Sequence, residues 1–92
     1  MDNSTIARQL LCAARQLETK HSNLYRVRAY RRAAQTVLRL ERPVEDLLTE
    51  AGRKALRDLP GIGTSLSSTI ETLVRTGEIP TLKEETLTLF AV

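Results

Sequence analysis

Leu59-Pro60-Gly61-Ile62-Gly63 is the segment of this 92-residue chain whose residue types and spacing point most directly to chemistry, and that chemistry is anion binding. Gly61 and Gly63 carry no Cβ, so the chain can turn sharply and a phosphate can come against the backbone. An amphipathic helix is expected to start near Thr64, which puts the N–H groups of Gly61, Gly63 and Thr64 at its positive end, facing outward. Ile62, between the glycines, is expected to plug into the core and pin the turn. A plain corner between two helices would account for a bare Pro-Gly-x-Gly. The flanking Leu59, the central Ile62 and a capping Thr64 favour the phosphate site.

Other reactive side chains are sparse. Cys12 is the single cysteine, which leaves no intramolecular disulfide and no multi-cysteine zinc site, and suits a reducing interior. No cationic helix N-terminus adjoins it, so it reads as a small buried or half-buried residue. His21 falls at a turn between helices, where a lone histidine is more often structural than catalytic. Lys20, Lys54 and Lys83 are the only lysines.

The net charge is +3, and its placement says more than its size. Lys20, Arg26, Arg28, Arg31 and Arg32 fall in one stretch without an acid, whereas the stretch from Gly77 onward is mildly acidic. A local cationic surface favours polyanions, although such runs commonly mark a solvated helix face. No apolar run is long enough to span a bilayer, and Met1-Asp2-Asn3-Ser4 lacks the features of a signal peptide. The expectation is an intracellular protein with no membrane partner, nucleoid-associated if bacterial.

The elements that must position the hairpin are helical throughout. Ile6, Leu10, Ala13, Ala14 and Leu17 form one stripe of a helix from about Ser4 to Thr19, capped by Asn3 or Ser4. A second helix runs from about Leu24 to Leu40, with Ser22 or Asn23 as cap and Val27, Tyr30, Ala34, Val37 and Leu38 on its core face. Arg28, Arg32 and Arg39 lie opposite, Arg31 flanks the stripe, and Arg26 stands one turn before Tyr30. Pro43 is expected to open a third helix, with Val44, Leu47 and Leu48 inward and Gly52 at its end. A short turn of helix, Arg53 to Arg57, precedes the hairpin. The last main helix uses Leu66, Ile70, Leu73 and Val74 for its core face and Gly77 as its left-handed end. One more short helix is expected over 80–89. The fold class is therefore all-α: a compact bundle of four main helices and a single domain over 1–92, in which Leu59-Pro60-Gly61-Ile62-Gly63 between two helices resembles the helix-hairpin-helix motif of DNA-repair proteins and DNA polymerases.

Two segments together carry a more specific likeness. Asn23-Leu24-Tyr25-Arg26-Val27-Arg28-Ala29-Tyr30-Arg31-Arg32-Ala33-Ala34, followed about 25 residues later by Leu59-Pro60-Gly61-Ile62-Gly63, resembles the N-terminal domain of family X DNA polymerases. The likeness runs from about Ile6 to Leu82 and includes the closing Thr76-Gly77-Glu78-Ile79-Pro80. It implies a helical bundle that binds single-stranded or gapped DNA and its 5′-phosphate end. Tyr30 falls on the tyrosine of that family's 5′-phosphate pocket, Arg26 on a basic position of it, and Tyr25 on a position often held by histidine. Gly61 and Gly63 match its phosphate-binding glycines, with Ile62, Thr64 and Ser65 beside them. The carbonyls of Arg57, Leu59 and Ile62 match positions that hold a monovalent cation, sodium or potassium; no other cofactor is implied.

The departures bear on catalysis. In members with deoxyribose-phosphate lyase activity, a lysine on the helix after the hairpin forms a Schiff base. Here Thr69 stands at that position and Ser65 at that of a second pocket lysine. Imine formation needs a primary amine, and none is present from Thr64 to Arg75. Nor can 92 residues house a polymerase's carboxylate-rich metal site on a sheet of its own. The expectation is a non-enzymatic module that holds nucleic-acid backbone, in DNA repair, with a partner supplying any catalysis. The alternatives are the N-terminal fragment of a family X polymerase, a lyase with a displaced lysine such as Lys54, and a protein-interaction domain.

Overall fold

A computed structural model of the chain describes residues 1–20 and 23–79. Within them lie five helices and no strand: α1 (Asn3–Thr19), α2 (Leu24–Arg39), α3 (Val44–Ala51), α4 (Arg53–Arg57) and α5 (Thr64–Thr76). Four main helices plus the short α4 is the architecture that the apolar periodicity implies. The helix expected over 80–89, like His21 and Ser22, lies outside the described residues.

α1 and α2 form the most extensive helix pair. Ile6, Leu10, Ala13, Ala14 and Leu17 of α1 and Val27, Tyr30, Ala33, Ala34 and Val37 of α2 are all buried. Alanines at this seam let the two backbones approach closely, and the leucines and valines fill the remaining space. The core face of α2 differs from the expected stripe by one step: Ala33 is buried and Leu38 is 55% exposed. Cys12 is exposed, not buried, because it falls off the α1 stripe defined by Leu10 and Ala13.

The helix ends also carry corrections. The cap of α1 is Asp2, whose carboxylate accepts the N–H of Thr5 at 2.8 Å. Asn3 is taken up elsewhere: its Oδ1 accepts from the Val44 N–H at 2.9 Å and its Nδ2 donates to the Arg42 carbonyl at 2.8 Å. One side chain thus caps α3 from the start of α1. Pro43 is the residue before α3 rather than its first, and Val44, Leu47 and Leu48 follow with only Val44 fully buried. Asn23 caps α2 by accepting from the Tyr25 N–H. Gly52 separates α3 from α4 with φ of +65°, and Gly77 ends α5 at φ +80° in the left-handed region. No helix among the described residues is long and apolar enough to cross a membrane.

Candidate nucleic-acid interface

The hairpin between α4 and α5 is seated on α2 by two contacts. Ile62 is buried, 4% exposed, within the core cluster. Thr36 Oγ1 of α2 donates to the Pro60 carbonyl at 2.7 Å. Its internal turn is closed by the Ile62 N–H donating to the Leu59 carbonyl at 3.2 Å. The expected plug role of Ile62 is therefore what the structure shows, and Thr36 adds a tether that sequence reasoning missed.

The two glycines do different jobs. Gly61 has φ of +79°, where L side chains are rarely found. A Cβ built on it would lie 2.7 Å from Cγ and 2.8 Å from Cδ of Arg32, so the arginine stem lies directly on this glycine. Gly63 is extended, with φ −97° and ψ −169°, and a Cβ there would meet nothing within 4 Å. Its backbone borders open space, the condition for close approach by a ligand. Gly63 is also the residue that precedes α5, so Thr64, expected as the cap, is instead the first helical residue, and no side chain caps this end. Among the described residues the N–H groups of Gly61, Gly63, Thr64 and Ser65 have no protein acceptor. An uncapped helix start leaves several donors and a positive dipole end available to an anion.

These four residues line a cleft of about 290 Å³ between the hairpin and α2. Gly61, Gly63, Thr64 and Ser65 line one side; Tyr25, Arg26 and Tyr30 line the other. The expected phosphate-site residues other than Ile62, which is buried in the core, meet in this one place, whereas Arg57 and Leu59, expected at a cation site with Ile62, do not line it. Arg26 and Tyr30 sit one turn apart, the spacing that puts two side chains on the same face of a helix. The Tyr30 ring belongs to the core at 5% exposure. Its hydroxyl has no hydrogen-bond partner among the described residues, yet it is not sealed from solvent, so it opens to the cleft. Tyr25 is 79% exposed at the rim.

The turn that joins α4 and α5 thus carries a buried isoleucine between two glycines, and the model of one family, the Helix-hairpin-helix domain, matches residues 1–79. The chain belongs to the helix-hairpin-helix domain family. Helix-hairpin-helix domains generally bind DNA without sequence specificity. No curated protein matches the chain.

Within this helix-hairpin-helix domain, the positions that bear on lyase chemistry are also fixed. Thr69 is 7% exposed and its hydroxyl donates to the Ser65 carbonyl at 3.1 Å. Ser65 lines the cleft and Thr69, one turn on, does not. The amine of Lys54, exposed on α4, also lies outside the cleft lining. Arg39 is exposed and away from the hairpin concavities, whereas Arg28 and Arg32 line a second groove beside the cleft.

Proposed function

We propose that this domain holds DNA through its phosphates, and that the cleft between hairpin and α2 receives a 5′-phosphate end. The observation that carries the reading is that Gly61, Gly63, Thr64 and Ser65, whose N–H groups have no protein acceptor among the described residues, line one cleft with Arg26 and Tyr30. Amides at a helix start, a guanidinium and a phenol make a donor set suited to a doubly charged phosphate. None of these groups reads base edges, so recognition is of backbone and end rather than sequence. This is also the pocket implied by the likeness to the N-terminal domain of family X polymerases, and gapped or single-stranded DNA in repair is the corresponding substrate. A 5′-phosphorylated gapped oligonucleotide should bind more tightly than its 5′-hydroxyl twin. Equal affinity for the two would remove the end-binding role.

The proposal extends to a non-enzymatic role inside the cell. Lyase chemistry needs a primary amine against the sugar aldehyde, and no lysine lines the cleft. Borohydride treatment with abasic DNA should trap no adduct at catalytic rates; an adduct mapped to Lys54 would overturn this. A separate protein would then supply any catalysis. At the hairpin, the Arg57 and Ile62 carbonyls accept no hydrogen bond among the described residues, and the Leu59 carbonyl accepts only one. Neutral carbonyl oxygens with free lone pairs are the donor type that takes a sodium or potassium ion in place of water. Such an ion would stiffen the turn and add positive charge beside the phosphate.

A further inference from the structure

A second groove, of about 530 Å³, lies on the other flank of the hairpin. Arg28, Arg32 and Ile62 line it and not the cleft, while Tyr25, Ala29, Gly61 and Gly63 border both. The two concavities therefore adjoin along these shared residues. No carboxylate lines the groove. Arg28 and Arg32 stand one turn apart on α2 and reach the same space. Neither has an ion-pair partner among the described residues, whereas Arg31 between them is committed to Glu18 of α1. Arg32 is also held in position, because its stem rests on the Cβ-free face of Gly61. A guanidinium pre-placed in this way loses less freedom when it meets a phosphate, and its planar fork suits two phosphate oxygens at once.

We infer that this groove binds an internal phosphodiester of the nucleic acid, so that the strand passes Gly61 and Gly63, which border both concavities, between two phosphate sites. The cleft takes the end and the Arg28–Arg32 groove takes the continuing backbone; the inference rests on the proposed function only in taking the ligand to be DNA. Gly61 gains a second reason for being glycine: any side chain there would push Arg32 out of the groove.

The test compares wild-type protein with Arg28→Gln/Arg32→Gln, using gapped oligonucleotides with 5′-phosphate or 5′-hydroxyl ends over a range of salt. Glutamine keeps much of the stem over Gly61, and Arg8→Gln/Arg15→Gln on α1 serves as a charge-matched control lining neither concavity. Each lost phosphate contact removes about 0.7 to 0.9 from the slope of log K against log salt, so losing the one phosphodiester held in the groove should lower the slope by about 0.8. Affinity should drop about tenfold near 0.1 M salt for both oligonucleotides alike. An unchanged slope and affinity would overturn the groove. So would an equal loss in the α1 control, which would assign the effect to bulk charge, or a loss confined to the phosphorylated oligonucleotide, which would put both arginines in the cleft. Equal wild-type affinity for the two ends, with the arginine effect intact, would remove the cleft's end-binding role and leave the groove standing. No wild-type binding at low salt would remove both.

Discussion

Valine at Gly63 and alanine at Gly61 should separate ligand approach from folding, because the two glycines are needed for different reasons. At Gly63 the backbone is extended and a Cβ meets nothing within 4 Å. The Gly63→Val variant should therefore keep its stability to within about 1 kcal/mol, the range for exposed positions without strain. Its branched side chain would occupy the space through which a phosphate reaches the amides of Gly63 and Thr64. Losing one charge-assisted hydrogen bond costs about 1.5 to 3 kcal/mol. At 1.4 kcal/mol per decade, that is roughly a 10- to 100-fold weaker complex. At Gly61 the positive φ of +79° costs a non-glycine residue about 1 to 2 kcal/mol. The 2.7 Å approach to Arg32 must also be relieved. Gly61→Ala should lower Tm by at least about 4 °C, using the usual conversion for a domain of this size. Thermal melts followed by circular dichroism, with fluorescence anisotropy on a fluorescein-labelled gapped duplex, measure both effects. A folded Gly63→Val that binds like wild type refutes the approach argument. A Gly61→Ala variant as stable as wild type refutes the backbone argument.

The Asn3 clamp between the start of α1 and α3 should make Asn3→Ala costlier than an ordinary surface change. Leaving the part-buried Val44 N–H unpaired predicts about 1 to 3 kcal/mol in chemical denaturation, and a loss within 0.5 kcal/mol would show the clamp to be idle. The Asp2 carboxyl is held below its usual range by the Thr5 N–H, and Glu50 by its hydrogen bond from Arg42. A depressed folded pKa gives stability that is present above the ordinary carboxylate range and lost as pH falls through it. The fall in Tm from about pH 6 to about pH 3 should therefore be smaller in Asp2→Ala/Glu50→Gln than in wild type, and an equal fall would contradict the linkage. Cys12, exposed on α1, should react with a maleimide in the folded protein within minutes, and protection until unfolding would contradict its placement.

The helices and the hairpin were legible because they are written in local terms. Apolar residues recur at helical spacing, and Pro60, Gly61, Gly63 and Gly77 mark the breaks. What escaped was decided by partners remote in sequence. Asn3 is a good helix cap by type, but the α2–α3 turn claims its side chain and Asp2 caps instead. Ala33 is buried because it stands three residues after Tyr30 and four before Val37, on the same face of the helix, whereas Leu38 lies past the edge of that face. The candidate cleft residues were found together because Arg26 and Tyr30 share a face and the hairpin glycines are adjacent in the chain. The row Arg28, Arg32 and Thr36 gave no sign of its role. Four-residue spacing placed these residues together, but only the docked hairpin turns a solvated face into a groove wall and a tether.

The central claim, that hairpin amides hold phosphate, is tested most directly by following backbone N–H resonances of ¹⁵N-labelled protein as a 5′-phosphorylated gapped oligonucleotide is added at low salt. The account predicts that the amides of Gly61, Gly63, Thr64 and Ser65 shift most, together with resonances of Arg26 and Tyr30, and that added salt reverses the shifts. Shifts that leave these amides in place and gather instead around Leu48, Val74 and Arg75, on the α3–α5 side, would contradict it.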